Sequence, residues 1–267
     1  MGSISHGAEA ETLHLPRILC LHGGGTNANI FRMQCRVLTR MLSPHFRLAF
    51  AEAPFDSAAG PDVLTVYADH GPFKRWLRWL DDHAQTDDVS AVQAIDASLA
   101  AAMAADDALG ATGPWVGLLG FSQGAKLSAS LLFRQQTRAK KARRSSSAQS
   151  DWKFAVLMAG RSPLVNLEPG VFTSSLLSDV SQIGLSSQPD LMEMMSENHV
   201  LRMPTIHVHG VADPGLYLHQ ELLEQYCDPA TVKLVEWDGA HRVPLKGTDV
   251  QPVVDAILEV AQETGVI

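Results

Sequence analysis

The serine in Gly120-Phe121-Ser122-Gln123-Gly124 has a setting that could do chemistry. An apolar run, WVGLL, precedes it, and a helix-forming run, KLSASLLF, follows shortly after. The chain must then turn sharply from strand to helix with Ser122 at the apex, as a nucleophile elbow requires. Such a turn admits only small neighbours, which Gly120 and Gly124 supply. The serine also falls at a helix N-terminus, where developing negative charge is favoured. The competing reading is a glycine-containing turn with a serine cap. The strand before and the helix after favour the nucleophile.

A serine hydroxyl is a weak nucleophile at neutral pH and needs a base held beside it. Of the 11 histidines, His241 stands out, because Gly239 breaks the last strand-like run just before it. A loop after that strand can deliver an imidazole to the nucleophile, and the order serine, acid, histidine suits a doubly wound hydrolase. The acid should then follow the preceding strand, Thr205 to Val208, where His209-Gly210-Val211-Ala212-Asp213-Pro214 offers Asp213. Asp213 would fix the imidazole tautomer and stabilise its charge; its rival role is to cap the next helix. Asp238 is the other acid available, and its place three residues before His241 points it elsewhere.

Acyl transfer also needs backbone N–H groups aimed at an oxyanion. Gln123, directly after the nucleophile, supplies one. The glycines of Leu21-His22-Gly23-Gly24-Gly25-Thr26-Asn27 let a second loop approach closely, with Gly24 as the donor and Gly25 as the alternative. The stretch lacks both the G-K-[ST] ending and the G-x-G-x-x-G spacing of phosphate-binding loops. His207 and His209 would share one face of a strand. No third ligand is placed near them, so they read as satisfied core histidines rather than a metal pair.

Alternating strand and helix signals must position these residues. Apolar runs at Arg17 to Leu21, Phe46 to Ala51, Trp115 to Leu119, Phe154 to Met158, Thr205 to Val208 and Val232 to Val235 read as strands. Helical spacing covers Ile30 to Leu42, Val89 to Ala108, Gly124 to Gln135, Leu216 to Tyr226 and Val250 to Ala261. Residues 54 to 75 read as a long loop. Residues 161 to 200, with their methionines Met192, Met194 and Met195, read as an insertion over the sheet edge. The alternation predicts an α/β fold with a mostly parallel, doubly wound sheet, helices on both faces and ligands at the strands' carboxyl ends.

The chain has 267 residues, 46% hydrophobic and 19% charged, which suits one α/β domain over 16–267 after a flexible segment 1–15. Its net charge of −8 argues against nucleic acid as a partner. One basic cluster, Arg138, Lys140, Lys141, Arg143 and Arg144, reads as a solvated loop over 138–150, with docking of a partner as the alternative. Cys20, Cys35 and Cys227 show no C-x-x-C spacing and fit free thiols in a reducing compartment. No apolar run suits a signal peptide or a membrane span, so a cytoplasmic protein without a membrane partner is expected. No metal or organic cofactor is implied, and nothing sets an oligomeric state.

These segments together resemble the fungal and animal serine hydrolase family abbreviated FSH, which includes the lovastatin polyketide-releasing thioesterase and the ovarian-cancer-associated hydrolase. The matching stretches are LHGGGTNANIF at 21–31, GFSQGAKLSASLL at 120–132, FAVLMAG at 154–160, PTIHVHGVADP at 204–214 and GAHRVP at 239–244. The resemblance implies an α/β-hydrolase fold, a Ser122–His241–Asp213 triad, and hydrolysis of an ester or thioester. It also implies an acyl substrate from fungal secondary metabolism, carried by an acyl carrier protein or polyketide synthase. A small-ester carboxylesterase, a lactone or carbon–carbon bond hydrolase, and a non-catalytic binding protein on the same fold are the alternatives. Two features depart from the family pattern: the longer, more basic segment 137–150, and Lys126, where small apolar residues are common.

Overall fold

The strand-forming runs carry Val, Ile, Leu and Phe on both faces, the pattern of strands covered on both sides. A computed structural model describes residues 11–61, 63–142, 151–171, 174–185 and 190–267. In chain order the strands are β1 (Arg17–Leu21), β2 (Arg47–Ala51), β3 (Phe55–Ser57), β4 (Phe73–Arg75), β5 (Trp115–Phe121), β6 (Phe154–Met158), β7 (Val165–Asn166), β8 (Ser178–Asp179), β9 (Thr205–Gly210) and β10 (Val232–Trp237). The helices are α1 (Ala28–Gln34), α2 (Arg36–Leu42), α3 (Val63–Tyr67), α4 (Asp88–Ala108), α5 (Gln123–Ala142), α6 (Leu191–Met195), α7 (Leu216–Tyr226) and α8 (Gly247–Glu263).

Six strands form one sheet in the order β10-β9-β6-β5-β1-β2, and every neighbouring pair is parallel. One face packs on α1, α2 and α8 through Phe31, Leu38, Leu42, Val253 and Ile257. The other packs on α4, α5 and α7 through Ile95, Leu99, Leu127, Leu131 and Leu222. The chain runs from β1 outward to β2, then returns to place β5 on the other side of β1. Where the direction of winding reverses, the loops leaving β1 and β5 diverge to opposite faces and open a crevice. These are the glycine loop and the serine turn.

Several expectations need correction. Ile30 to Leu42 is two helices, because Cys35 leaves the helical region (φ −84°, ψ 5°) and re-aims α2. Leu38 and Leu42 thereby reach the same core as Phe31. Residues 54 to 75 are not a bare loop: β3 and β4 pair antiparallel, with α3 between them. Strands of three residues are too short for periodicity to register. Helix α5 continues to Ala142, so Arg138 and Lys140 lie on a helix rather than a loop. Lysine, arginine and alanine all favour helix, which the charge run concealed. Arg143 and Arg144 lie outside the described residues.

The described buried residues of segment 161–200 pack against α5. Leu164, Val165, Leu167, Leu176, Leu177 and Val180 are buried with the residues of α5. The Val165 N–H donates to Ser130 Oγ of that helix at 2.9 Å. Met192 and Met195 are exposed. The chain is tied down before residue 16, since the Leu13 carbonyl accepts from Thr112 N–H at 2.7 Å and Gly113 N–H at 3.2 Å; residues 1–10 lie outside the described residues.

Candidate active site

Ser122 stands between β5 and α5 with φ 53°, a left-handed backbone that a non-glycine residue adopts only when its surroundings impose it. Its N–H donates to Met158 O of β6 at 2.8 Å, and its own carbonyl accepts from Lys126 N–H at 3.1 Å. The two motif glycines make the turn sterically possible. A Cβ on Gly120 would lie 2.3 Å from Gly124 C, and one on Gly124 would lie 2.0 Å from Leu21 O. The start of α5 therefore touches the end of β1, which brings the serine to the glycine loop. Gly124→Ala is expected to destabilise the protein by about 3 kcal/mol or more, because backbone rather than a flexible side chain must give way. Denaturant unfolding reads this directly, and wild-type stability would mean that the elbow can slide along β1.

The end of β9 and the loop after β10 are joined by backbone. Val211 N–H donates to Trp237 O at 3.0 Å and Ala212 N–H to Gly239 O at 3.0 Å. This brings Asp213 and His241 together across 28 positions of sequence: His241 Nδ1 lies 2.6 Å from Asp213 Oδ2. His241 Nε2 lies 3.0 Å from Ser122 Oγ, so one imidazole bridges the carboxylate and the hydroxyl. Phe121 packs on the imidazole with ring centroids 5.1 Å apart. Asp213 does not cap the following helix, whose N-cap Gly215 has no side-chain cap bond; its other oxygen accepts from Gly215 N–H at 2.8 Å within the turn before it. Asp238 is exposed and takes no part.

The Asp213 side chain is only 1% exposed. Burial pushes its carboxyl up, but the Gly215 N–H and His241 outweigh burial and hold it below the usual carboxylate range. Burial lowers the pKa of His241, Asp213 counteracts this, and the nearby Arg161 charge lowers it further. The imidazole is thus neutral at neutral pH and hydrogen-bonded to a carboxylate, as a general base must be.

The glycine loop separates the two oxyanion candidates. Gly25 N–H is committed to Lys74 O at 2.9 Å, while Lys74 N–H donates to Thr26 O at 2.6 Å. Gly25 itself is fixed by φ 71° and by Gly60 N, 2.1 Å from where a Cβ would lie. The N–H groups of Gly24 and Gln123 have no acceptor among the described residues. A Cβ on Gly24 would sit 3.2 Å from Gln123 Nε2, so the two residues are neighbours.

Some of the site was not legible in the sequence. Segment 73–79 clamps the elbow: Gln123 Oε1 accepts from Trp76 N–H at 2.6 Å and Leu77 N–H at 3.1 Å, and its Nε2 donates to Leu77 O at 2.9 Å. Trp76 is core, with Nε1 donating to His22 O at 3.0 Å. Trp79 Nε1 is buried, has no partner among the described residues, and lies 3.3 Å from where a Gly24 Cβ would lie. His207 is satisfied as expected by Thr205 Oγ1 at 3.2 Å, and burial holds its pKa down to about 3. His209 is not satisfied: neither ring nitrogen has a hydrogen-bond partner among the described residues, and the ring packs tilted at 51° to His219 with centroids 5.5 Å apart. Burial lowers both to about 4. Asp213, His219 and His241 hold donor atoms within 4.8 Å of one another and could together ligate a cation, though two of them already serve Ser122. Lys126 bears no acidic partner among the described residues, and burial pushes it down to about 8. All three cysteines are free and buried, with Cys227 pushed up to about 12.

Residues 12–253 match the family described as serine hydrolase (FSH1). Esterase pigG of Monascus ruber is 57% identical over 97% of this chain and 96% of its own length. Esterase GME11355 of Pestalotiopsis microspora is 53% identical over 96% of each. Among solved structures, esterase PE8 superposes with a TM-score of 0.50 at 15% identity, over 92% of this chain and 93% of that one. Zea mays acyl-protein thioesterase 2 does so with a TM-score of 0.50 at 18% identity, over 92% and 94%. At such identities these two report the fold alone, which is that of an α/β-hydrolase.

Proposed function

We propose that this chain, which belongs to the serine hydrolase (FSH1) family, cleaves an acyl ester or thioester through Ser122, His241 and Asp213. The observation that carries this reading is the single imidazole lying 3.0 Å from Ser122 Oγ and 2.6 Å from Asp213 Oδ2. Ser122 Oγ attacks the acyl carbonyl while His241 Nε2 takes its proton, and the Gly24 and Gln123 amides hold the oxyanion. His241 then passes that proton to the departing alcohol or thiol. Water, deprotonated by the same imidazole, attacks the acyl-enzyme, and the proton returns to Ser122 as the acid leaves. The relatives named as esterases support an ester or thioester as the bond broken.

The acyl group in this reading comes from secondary metabolism, delivered free or on a carrier protein. A carrier would meet the outer end of α5, where Lys140 is exposed and Arg138 is bonded to Glu168 at 2.6 Å. Buried free thiols favour a cytoplasmic setting. No helix of the described residues is long and apolar enough to cross a membrane.

A fluorophosphonate probe tests the chemistry. It should attach to Ser122 alone, found by mass spectrometry of the labelled peptide, and a panel of acyl esters and thioesters should protect against labelling in proportion to turnover. Failure of the folded protein to label at Ser122 would favour a binding protein on this fold.

A further inference from the structure

We infer that Arg161 forms a subsite beside the nucleophile for an anionic oxygen on the acyl group, a carboxylate or an ionised enol or phenol. The inference rests on the acyl hydrolysis proposed above and names its substrate class. Arg161 follows β6 by a short turn, at the carboxyl end of the sheet where parallel strands receive ligands. Its Nε is buried without a partner, and its guanidinium makes no hydrogen bond or ion pair among the described residues. The nearby carboxylates are committed elsewhere. Asp213 bonds Gly215 N–H and His241, and Glu221 accepts from Ser162 Oγ at 2.6 Å.

The guanidinium nevertheless has a defined neighbour, the turn at Gly215. Gly215 has an ordinary φ of −95°, so its backbone does not require glycine. A Cβ there would lie 2.9 Å from an Arg161 terminal nitrogen, which places the guanidinium end against this turn. The guanidinium thus rests against the turn that holds Asp213, near enough for its charge to act on both His219 and His241. A guanidinium offers five donors in a planar fork matched to a carboxylate. Leaving the buried Nε unpaired is costly, and an anion from outside would relieve that cost. The chain carries a net charge of −8, so an anionic acyl group needs a local cation to settle beside the serine.

Calorimetric titration with diacids from succinate to suberate, each compared with the monoacid of the same length, tests the subsite without turnover. Wild type should bind its preferred diacid about tenfold or more tightly than the matching monoacid, the range of a charge-assisted pair. Arg161→Gln should lose that preference, and Arg161→Lys should keep part of it. Arg161→Met gives the same reading should the glutamine variant fold poorly. A wild type that does not prefer diacids, or a preference that survives in both neutral variants, overturns the inference. Turnover of neutral acyl thioesters is measured alongside; its absence would count against the hydrolase reading and leave the binding result standing on its own.

Discussion

Replacing Ser122 with alanine is expected to lower kcat/KM for acyl esters and thioesters by on the order of 10⁵-fold, leaving only what oxyanion donors and binding achieve without a nucleophile. In the proposed reaction the hydroxyl is the atom that forms the covalent bond, and no other group stands in for it. His241 Nε2 is placed 3.0 Å from that oxygen, and the next hydroxyl of the elbow helix, Ser128, is buried and bonded to Gly124 O at 2.8 Å. Folding should be little affected, because Ser122 is held by its backbone to Met158 and Lys126 rather than by its side chain. Alanine accepts the φ of 53° no worse than serine does. The measurement is steady-state hydrolysis paired with an unfolding midpoint. Wild-type turnover in a folded Ser122→Ala protein would rule out acyl-enzyme chemistry at this residue.

Asp213→Asn should lower kcat by about 10³- to 10⁴-fold while binding changes little. In the wild type the carboxylate accepts from His241 Nδ1, which leaves Nε2 free to take the serine proton. An asparagine amide can present N–H to Nδ1 instead, and then the proton sits on Nε2, the wrong side for a base. The pH profile separates this role from a merely structural one. Burial lowers the His241 pKa from its ordinary 6.5, so the neutral base persists below that pH and the acid limb of kcat/KM should lie below 6.5. Asp213 opposes this by stabilising the imidazolium. Without its charge the His241 pKa falls further, so the acid limb of the residual activity should move to lower pH. An unchanged limb would mean that Asp213 does not act through His241.

The two interactions are built from different distances along the chain, which decides how far each was readable. The elbow is local: strand, Gly120, Ser122, Gly124 and helix lie within one stretch, and steric demands on those residues appear in their types. The glycine loop is similar, since Gly25 has to be glycine for φ 71° and for the approach of Gly60. Asp213 and His241 could be chosen because each follows a strand in an ordered series, although the 2.6 Å contact itself joins separate loops. Phe73, Trp76 and Trp79 mark segment 73–79 as pocket lining or core, but its hold on the elbow left no signal. Its grip on Gln123 uses backbone N–H and C=O groups of Trp76 and Leu77, which every residue type carries.

The sequence by itself determined the parallel α/β alternation, the tight turn at Ser122 and the order in which Asp213 and His241 follow their strands, because periodicity and steric restriction are written in residue types. Only the tertiary structure decided which glycine N–H remains free. The pairing of Gly25 with Lys74 spends one donor and leaves Gly24. It also decided that, among the described residues, His209 has no hydrogen-bond partner and Arg161 stands unpaired with its charge acting on His241. Whether a polar group finds its partner depends on which remote segments meet it, and spacing along the chain does not record that.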